Sequence, residues 1–128
     1  MKQISTPTAP APAGHYSQAV VHQGLIYVAG QVPRAAYPGG EAPVSFEEQA
    51  DLVFRNLAAI LDSAGSDLGH VLKLTIYLTD LSAWSKADEI CSRVFGTHRP
   101  ARTTVPVPAL LHSYKIEIDV IAAIRAKD

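Results

Sequence analysis

An arginine and a glutamate in the last third of the chain have types and settings that indicate chemistry. Arg102 opens a β-rich segment in the tripeptide PAR (residues 100–102), and Glu117 interrupts an apolar alternating segment. A guanidinium is a planar fork that binds a carboxylate through two hydrogen bonds, and a nearby carboxylate can carry protons. The pair is a candidate for binding and converting a small anionic substrate. The alternative interpretation is a structural ion pair.

Two residues near the N-terminus are further candidates for the same cleft. Tyr16 lies in GHYSQA (residues 14–19), and its phenol can donate a hydrogen bond, although a tyrosine at a strand start is commonly a packing residue. Gly30 ends IYVAG (residues 26–30) and is most simply a turn glycine. A glycine also lets the backbone approach a ligand closely.

Metal, nucleotide and covalent chemistry have no matching pattern. The histidines have no ligand-pair spacing, and Cys91 lies in a predicted helical stripe. Gly39 and Gly40 lie among prolines rather than before a helix, and no Gly-x-Ser-x-Gly motif occurs. We therefore expect no metal and no cofactor. The histidines are His15, His22, His70, His98 and His112.

Length and composition predict one domain, residues 1–128, with few kinds of partner. The 11 Lys and Arg residues against 12 Asp and Glu residues give a net charge of −1, without the basic excess of a nucleic-acid binder. The single cysteine suits a reducing compartment, and no apolar run is long enough to span a bilayer. We expect a cytoplasmic protein with no nucleic-acid or membrane partner.

The first third of the chain predicts an arm, a hairpin and a loop. Prolines at 7, 10 and 12 indicate that residues 1–14 form an extended arm. Two β-rich segments, 17–21 and 25–29, predict a hairpin closed by a glycine-containing turn. Residues 31–43 contain so many prolines and glycines that they predict a surface loop.

Two helices are predicted by their end signals. Ser45 and Glu48 form a capping box before an apolar stripe that ends at Gly65. Ser82 is the predicted N-cap of a second helix that ends at Gly96.

Three more strands complete the prediction. Residues 71–78 alternate, with Leu72, Leu74, Ile76 and Leu78 on one face. Prolines bracket residues 101–107, which predicts a short strand near a sheet edge. Residues 114–124 predict a longer strand.

Together these elements predict an α+β fold, a mixed sheet with two helices packed on one face. The last strand then points Glu117, Ile121 and Ala123 away from the helices. That second face is too apolar in part to be left in water. We infer a symmetric oligomer that buries it.

Taken together, the motifs resemble the RidA family of small imine deaminases. The resemblance runs from YSQAV (residues 16–20) and VAGQVP (28–33), through Gln49 and Asn56, to PAR (100–102) and KIEI (115–118). It implies a chorismate-mutase-like fold, a homotrimer with barrel-like inner sheets, and sites in clefts between subunits.

The resemblance also implies an activity. The substrate would be a 2-imino acid or its enamine, such as 2-aminoacrylate or 2-iminobutanoate, which water converts to a 2-ketoacid and ammonia without a cofactor. By resemblance, Arg102 would clamp the substrate carboxylate and Glu117 would position or activate the water. Tyr16 would donate a hydrogen bond near the reacting centre, and Gly30 and the backbone at Thr104 would complete the pocket.

Several residues depart from the family pattern. His15 replaces a common proline, Thr104 a frequent cysteine and Asp88 an asparagine, and the link from Phe95 to Pro100 is short. Asp88 and this link are expected to reshape the substrate-binding cleft. Two alternative functions remain open: a silent binding module that senses small carboxylates, and a ribonuclease or translation inhibitor, which the net charge disfavours.

Overall fold

A computed structural model describes residues 1–126 and confirms the α+β class. Two helices cover a six-stranded mixed sheet with the strand order β1-β2-β3-β6-β4-β5. The strands are β1 (Lys2–Ile4), β2 (Ala19–His22), β3 (Leu25–Gln31), β4 (Val71–Leu78), β5 (Ala101–Pro106) and β6 (Ile116–Ala123). The helices are α1 (Phe46–Ser63) and α2 (Trp84–Phe95).

The predicted hairpin is confirmed. β2 and β3 pair antiparallel, with His22 opposite Leu25. The two residues between them, Gln23 and Gly24, have φ values of 49° and 78°. Such a turn matches the right-handed twist of the flanking strands. β3 then pairs antiparallel with β6 in the middle of the sheet.

The N-terminal segment is more regular than the sequence predicted. Lys2–Ile4 form an edge strand antiparallel to β2, with Ile4 opposite Ala19, so the predicted arm of residues 1–14 is wrong for these three positions. No proline or glycine interrupts them, and the buried side chain of Ile4 anchors the strand in the core. Residues 6–14 carry the prolines and form neither helix nor strand.

The start of α1 follows the predicted capping box. The Ser45 hydroxyl accepts a hydrogen bond from the Glu48 backbone N–H at 3.2 Å and donates to the Glu48 carboxylate at 2.9 Å. After the helix, Gly65 has a φ of 83°, a conformation that glycine adopts readily. One face of α1 packs on β3 and β6 and contacts α2.

The predicted N-cap of α2 is wrong. Residues Leu81–Ala83 form a 3₁₀ turn, and α2 begins at Trp84. The Asp80 carboxylate accepts a hydrogen bond from the Ser82 N–H at 2.9 Å, so Asp80 caps this turn. The end of α2 at Gly96, which has a φ of 63°, is as predicted.

β4 has the predicted bounds, but one of its residues faces the other way. The register with β6 shifts between Val71 and Lys73, so Leu72 has no partner in the ladder. Leu72 is 47% exposed, and Val71 is buried in the core instead. Such a bulge is invisible in the alternation of the sequence. β5 lies at the sheet edge as predicted and pairs parallel to β4.

Both helices lie on one face of the sheet, which confirms the predicted layering. The other face, here called the open face, carries Tyr27, Thr75, Tyr77, Glu117 and Ile121. Tyr27 lies opposite Ile121, and Tyr77 lies opposite Glu117. The Tyr77 hydroxyl donates a hydrogen bond to Asp119 at 2.9 Å. Within residues 1–126 no helix is both long and apolar enough to cross a membrane.

Candidate active site

Three of the residues selected from the sequence line one cavity. Tyr16, Gly30 and Glu117 surround a space of about 340 Å³ at the end of the sheet where β3 and β6 meet. Residues 10–13 close one side, and Leu111, His112 and Tyr114 close another. The cavity combines the Glu117 carboxylate and the Tyr16 phenol with Arg34, His112 and apolar wall residues. A carboxylate and a phenol in one cavity suit proton transfer to a small ligand.

Glu117 is the carboxyl group that lines this cavity. Its carboxyl is partly buried, and burial together with the nearby Asp119 carboxylate raises the pKa of Glu117. A carboxyl with a raised pKa is a better proton carrier near neutral pH. A β-carbon at residue 30 would lie 3.0 Å from the Glu117 carboxyl carbon and closer still to its Oε2, so Gly30 makes room for this side chain.

Buried amides position the wall of this cavity. The Gln18 side chain accepts a hydrogen bond from the Thr6 N–H at 2.7 Å and donates to the carbonyls of Thr6 and Pro10. It therefore fixes the proline-rich segment against β2. On the opposite side, Asn56 of α1 donates to the carbonyls of Val32 and Arg34 and holds the loop after β3.

Tyr16 lies at the mouth of the cavity. Its ring is half exposed, and its hydroxyl accepts a hydrogen bond from the Ala13 N–H at 3.1 Å. The phenolic proton therefore remains available to a ligand, because the hydroxyl serves as acceptor in that contact.

Arg102 lies on the other face of the sheet, against α2. Its Nη1 donates to Asp88 Oδ1 at 2.8 Å, and its guanidinium carbon lies 5.4 Å from the centre of the Trp84 ring. It lines a second cavity of about 520 Å³ with Asp88, Cys91, Arg99 and others. Burial raises the pKa of Cys91, and the neighbouring guanidinium opposes this only partly, so the thiol is unlike an activated nucleophile.

Arg102 and Glu117 therefore do not meet within one chain. β4 separates their strands, and their side chains lie on opposite faces. Thr104 follows Arg102 on β5, is half buried and lines neither cavity. One cleft containing both charged residues requires a second copy of the chain, as the resemblance to the RidA family implied.

Sequence reasoning assigned no role to Trp84, Gln18 or Asn56. Trp84, Asp88 and Cys91 recur at helical spacing, a pattern that places them on one face of α2. This spacing is the sequence feature from which the surroundings of Arg102 on α2 could have been predicted. Gln18 and Asn56 were noted only as part of the resemblance to the RidA family. Their structural role was not visible in the sequence, because their partners are backbone atoms of distant segments.

No metal-binding group is found in the described part of the chain. Within residues 1–126, no three or more His, Cys, Asp or Glu side chains lie together in a way that would hold an ion.

Comparisons with known proteins place the chain in a family. Residues 6–124 match the family model described as Endoribonuclease L-PSP. A RutC family protein of Pyrococcus abyssi is 41% identical over 93% of this chain and 94% of its own length. The 2-iminobutanoate/2-iminopropanoate deaminase of Rattus norvegicus is 40% identical over 94% of this chain and 88% of its own length.

The fold agrees with this placement. The crystal structure of RidA from the Antarctic bacterium Psychrobacter sp. PAMC 21119 superposes with a TM-score of 0.92 and 36% identity, covering 97% of this chain and all of that one. The chain therefore belongs to the Endoribonuclease L-PSP family, within which the RidA proteins are its relatives.

Proposed function

We propose that the protein is an imine deaminase. Its substrates are 2-imino acids and their enamine tautomers, 2-aminoacrylate/2-iminopropanoate and 2-iminobutanoate, which it hydrolyses to 2-ketoacids and ammonia. The observation that carries the proposal is the partly buried Glu117 carboxyl, with its raised pKa, in a cavity shared with Tyr16. The rat relative, named for this activity and 40% identical, supports it.

The reaction needs few groups from the protein. Glu117 accepts a proton from water as the water oxygen bonds to the carbon of the protonated imine, and the C=N electron pair moves to nitrogen. Glu117 then returns this proton to the nitrogen of the carbinolamine. The C–N bond breaks and ammonia leaves, while the hydroxyl proton passes to Glu117 and the C=O bond forms. Tyr16 donates a hydrogen bond near the reacting centre. Because the imine carbon is already electrophilic, orientation and one proton carrier account for most of the catalysis.

Arg102 supplies the carboxylate clamp from a second copy of the chain. The guanidinium has five N–H donors, and one of them is engaged with Asp88. Gly30 and the backbone near Thr104 complete the pocket, and Asp88 borders it. We propose a homotrimer whose sheets pair through their open faces, which would cover Tyr27 and Ile121. Sedimentation at micromolar concentration tests this assembly, because a monomer would contradict a shared site.

The activity is tested by generating the imines in place. A dehydratase that acts on serine and threonine releases 2-aminoacrylate and 2-iminobutanoate, and semicarbazide traps the imines that remain. We expect the protein to lower the trapped amount, and Arg102→Ala to abolish this effect while preserving the circular dichroism spectrum. Unchanged trapping with the wild-type protein would contradict the proposal.

The alternative functions predict different results. A silent sensor of small carboxylates would bind 2-oxobutanoate through Arg102 without lowering imine trapping. A ribonuclease or translation inhibitor would act on RNA or on translation, and the net charge of −1 argues against an RNA-binding surface. The cytoplasmic location is part of the proposal, since the dehydratases that release such imines would then share the compartment.

A further inference from the structure

Asp88 forms an ion pair with Arg102, the proposed carboxylate clamp, and so offsets part of its positive charge. Asp88 lies on the face of α2 that also carries Trp84 and Cys91, and it reaches the guanidinium at 2.8 Å. The Arg102 side chain is 23% exposed and that of Asp88 is 52% exposed. Asp88 therefore places a carboxylate where a substrate carboxylate would also seek a partner.

The charged residues of this cavity can be counted. Arg99 and Arg102 contribute two positive charges and Asp88 one negative charge, so the net charge of the lining is +1 when His98 is neutral. His98 Nε2 is engaged with the Val71 carbonyl at 2.6 Å. Without Asp88 the net charge would be +2.

The electrostatic interaction of a ligand with this cavity depends on the charge of the ligand. A 2-ketoacid is a simple anion, so its carboxylate at Arg102 gains from the guanidinium and loses from the neighbouring Asp88. A protonated 2-imino acid also carries a cationic nitrogen one bond from the carboxyl-bearing carbon. For this zwitterion the repulsion from Asp88 at one end is offset by attraction at the other.

We propose that Asp88 is a specificity-determining residue, which weakens the binding of simple carboxylates at Arg102 and favours ligands that carry a cationic nitrogen beside the carboxylate. This inference rests on the proposed function, because it takes Arg102 as the carboxylate clamp. Its consequence for the reaction is that Asp88 favours the imine substrate over the ketoacid product and thereby promotes product release.

The test compares two stable ligands of nearly equal size, 2-oxobutanoate as the anion and L-2-aminobutanoate as the zwitterion. Their dissociation constants are measured by NMR titration on the full chain. Asp88→Asn keeps an oxygen that accepts from Arg102 and removes the charge. We expect Asp88→Asn to bind 2-oxobutanoate about three- to fivefold more tightly, the size expected for a partly exposed charge pair, and to change L-2-aminobutanoate binding by less than about twofold.

Two controls isolate the charge at residue 88. Glu89 lies on the same helix, but its carboxylate contacts Lys86 and not Arg102. Glu89→Gln should therefore leave the dissociation constants of both ligands unchanged. Raising the salt to about 1 M, where screening acts within roughly 3 Å, should shrink the effect of Asp88→Asn. A lost side-chain contact of purely structural importance would not respond to salt in this way.

The outcomes distinguish the two levels of the proposal. If Arg102→Ala binds both ligands as well as the wild-type protein does, the clamp itself is wrong, and with it the proposed function. If Arg102→Ala abolishes binding but Asp88→Asn leaves the ratio of the two constants unchanged, only the inference about Asp88 is overturned. Failure of the wild-type protein to bind either ligand would overturn both.

Discussion

The carboxylate of Glu117 occupies the space in which a β-carbon of residue 30 would lie, and it does so because residue 30 is Gly30. The contact joins β3 to β6 at the point where their register shifts. Gly30 is itself exposed, so the surrounding core does not fix its identity.

Gly30→Ala should therefore reduce imine hydrolysis without unfolding the chain. We expect kcat/KM to fall at least about tenfold, because displacement of a positioned catalytic group by about 1 Å is costly. Steady-state kinetics and the thermal unfolding midpoint are the measurements. Gly24→Ala is the matched control. Gly24 has a positive φ but no atom within 4 Å of a β-carbon, so this change should cost stability alone. A fully active Gly30→Ala protein would contradict the role of this contact.

Replacing Glu117 by glutamine should slow catalysis and stabilise the fold at neutral pH. Loss of a general base costs about 100-fold or more in kcat. The folded-state pKa of Glu117 is raised, so its ionisation opposes folding as pH rises from the unfolded to the folded pKa, and the full penalty applies above both. Glu117→Gln removes that penalty. Thermal denaturation at pH 7 should give a higher midpoint than the wild type, whereas a lower one would contradict the desolvation of this carboxyl.

Asp119 should shift the acidic limb of the pH profile. Its carboxylate contributes to the raised pKa of Glu117, after burial, so Asp119→Asn should lower that pKa. Because a general base acts when deprotonated, the rise of kcat/KM with pH should then occur at lower pH. The Tyr77 hydroxyl can still donate to an asparagine oxygen, which preserves the local contact. A pH profile that does not move would mean that Asp119 has no influence on the base.

Gln18→Ala should loosen the proline-rich wall of the Glu117 cavity. The change leaves the Thr6 N–H and the Thr6 and Pro10 carbonyls without their side-chain partner. Loss of these partly buried hydrogen bonds should lower the free energy of unfolding by about 2 kcal/mol. Hydrogen exchange provides a direct measurement, since protection should fall at Thr6 before it falls in β4. Equal protection of the Thr6 N–H in the wild-type and Gln18→Ala proteins would contradict this anchoring role.

The sequence predicted elements best where one local rule decided the outcome. The capping box at Ser45 and the bounds of β4 are examples, because capping and alternation are properties of adjacent residues. The error at Leu72 arose from a bulge that only pairing with β6 produces. The error at Ser82 arose because a one-turn 3₁₀ segment capped by Asp80 precedes the helix.

The candidate site divides in the same way. The sequence identified Tyr16, Gly30 and Glu117, which share a cavity. It did not predict that Arg102 lies on the opposite face of the sheet, because that depends on the parallel pairing of β5 with β4. The ion pair between Arg102 and Asp88 likewise depends on how α2 packs against β4 and β5.

The position of Arg102 on the β4–α2–β5 unit has an evolutionary consequence. Under the proposed function, ligand recognition would depend on one supersecondary unit, whereas the proton carrier would lie on the β3–β6 pair. Substitutions along α2 can therefore alter which carboxylates are accepted without disturbing the geometry around Glu117. Selection can change substrate range and catalytic power one at a time, which lets members of such a family diverge in substrate while they retain one chemistry.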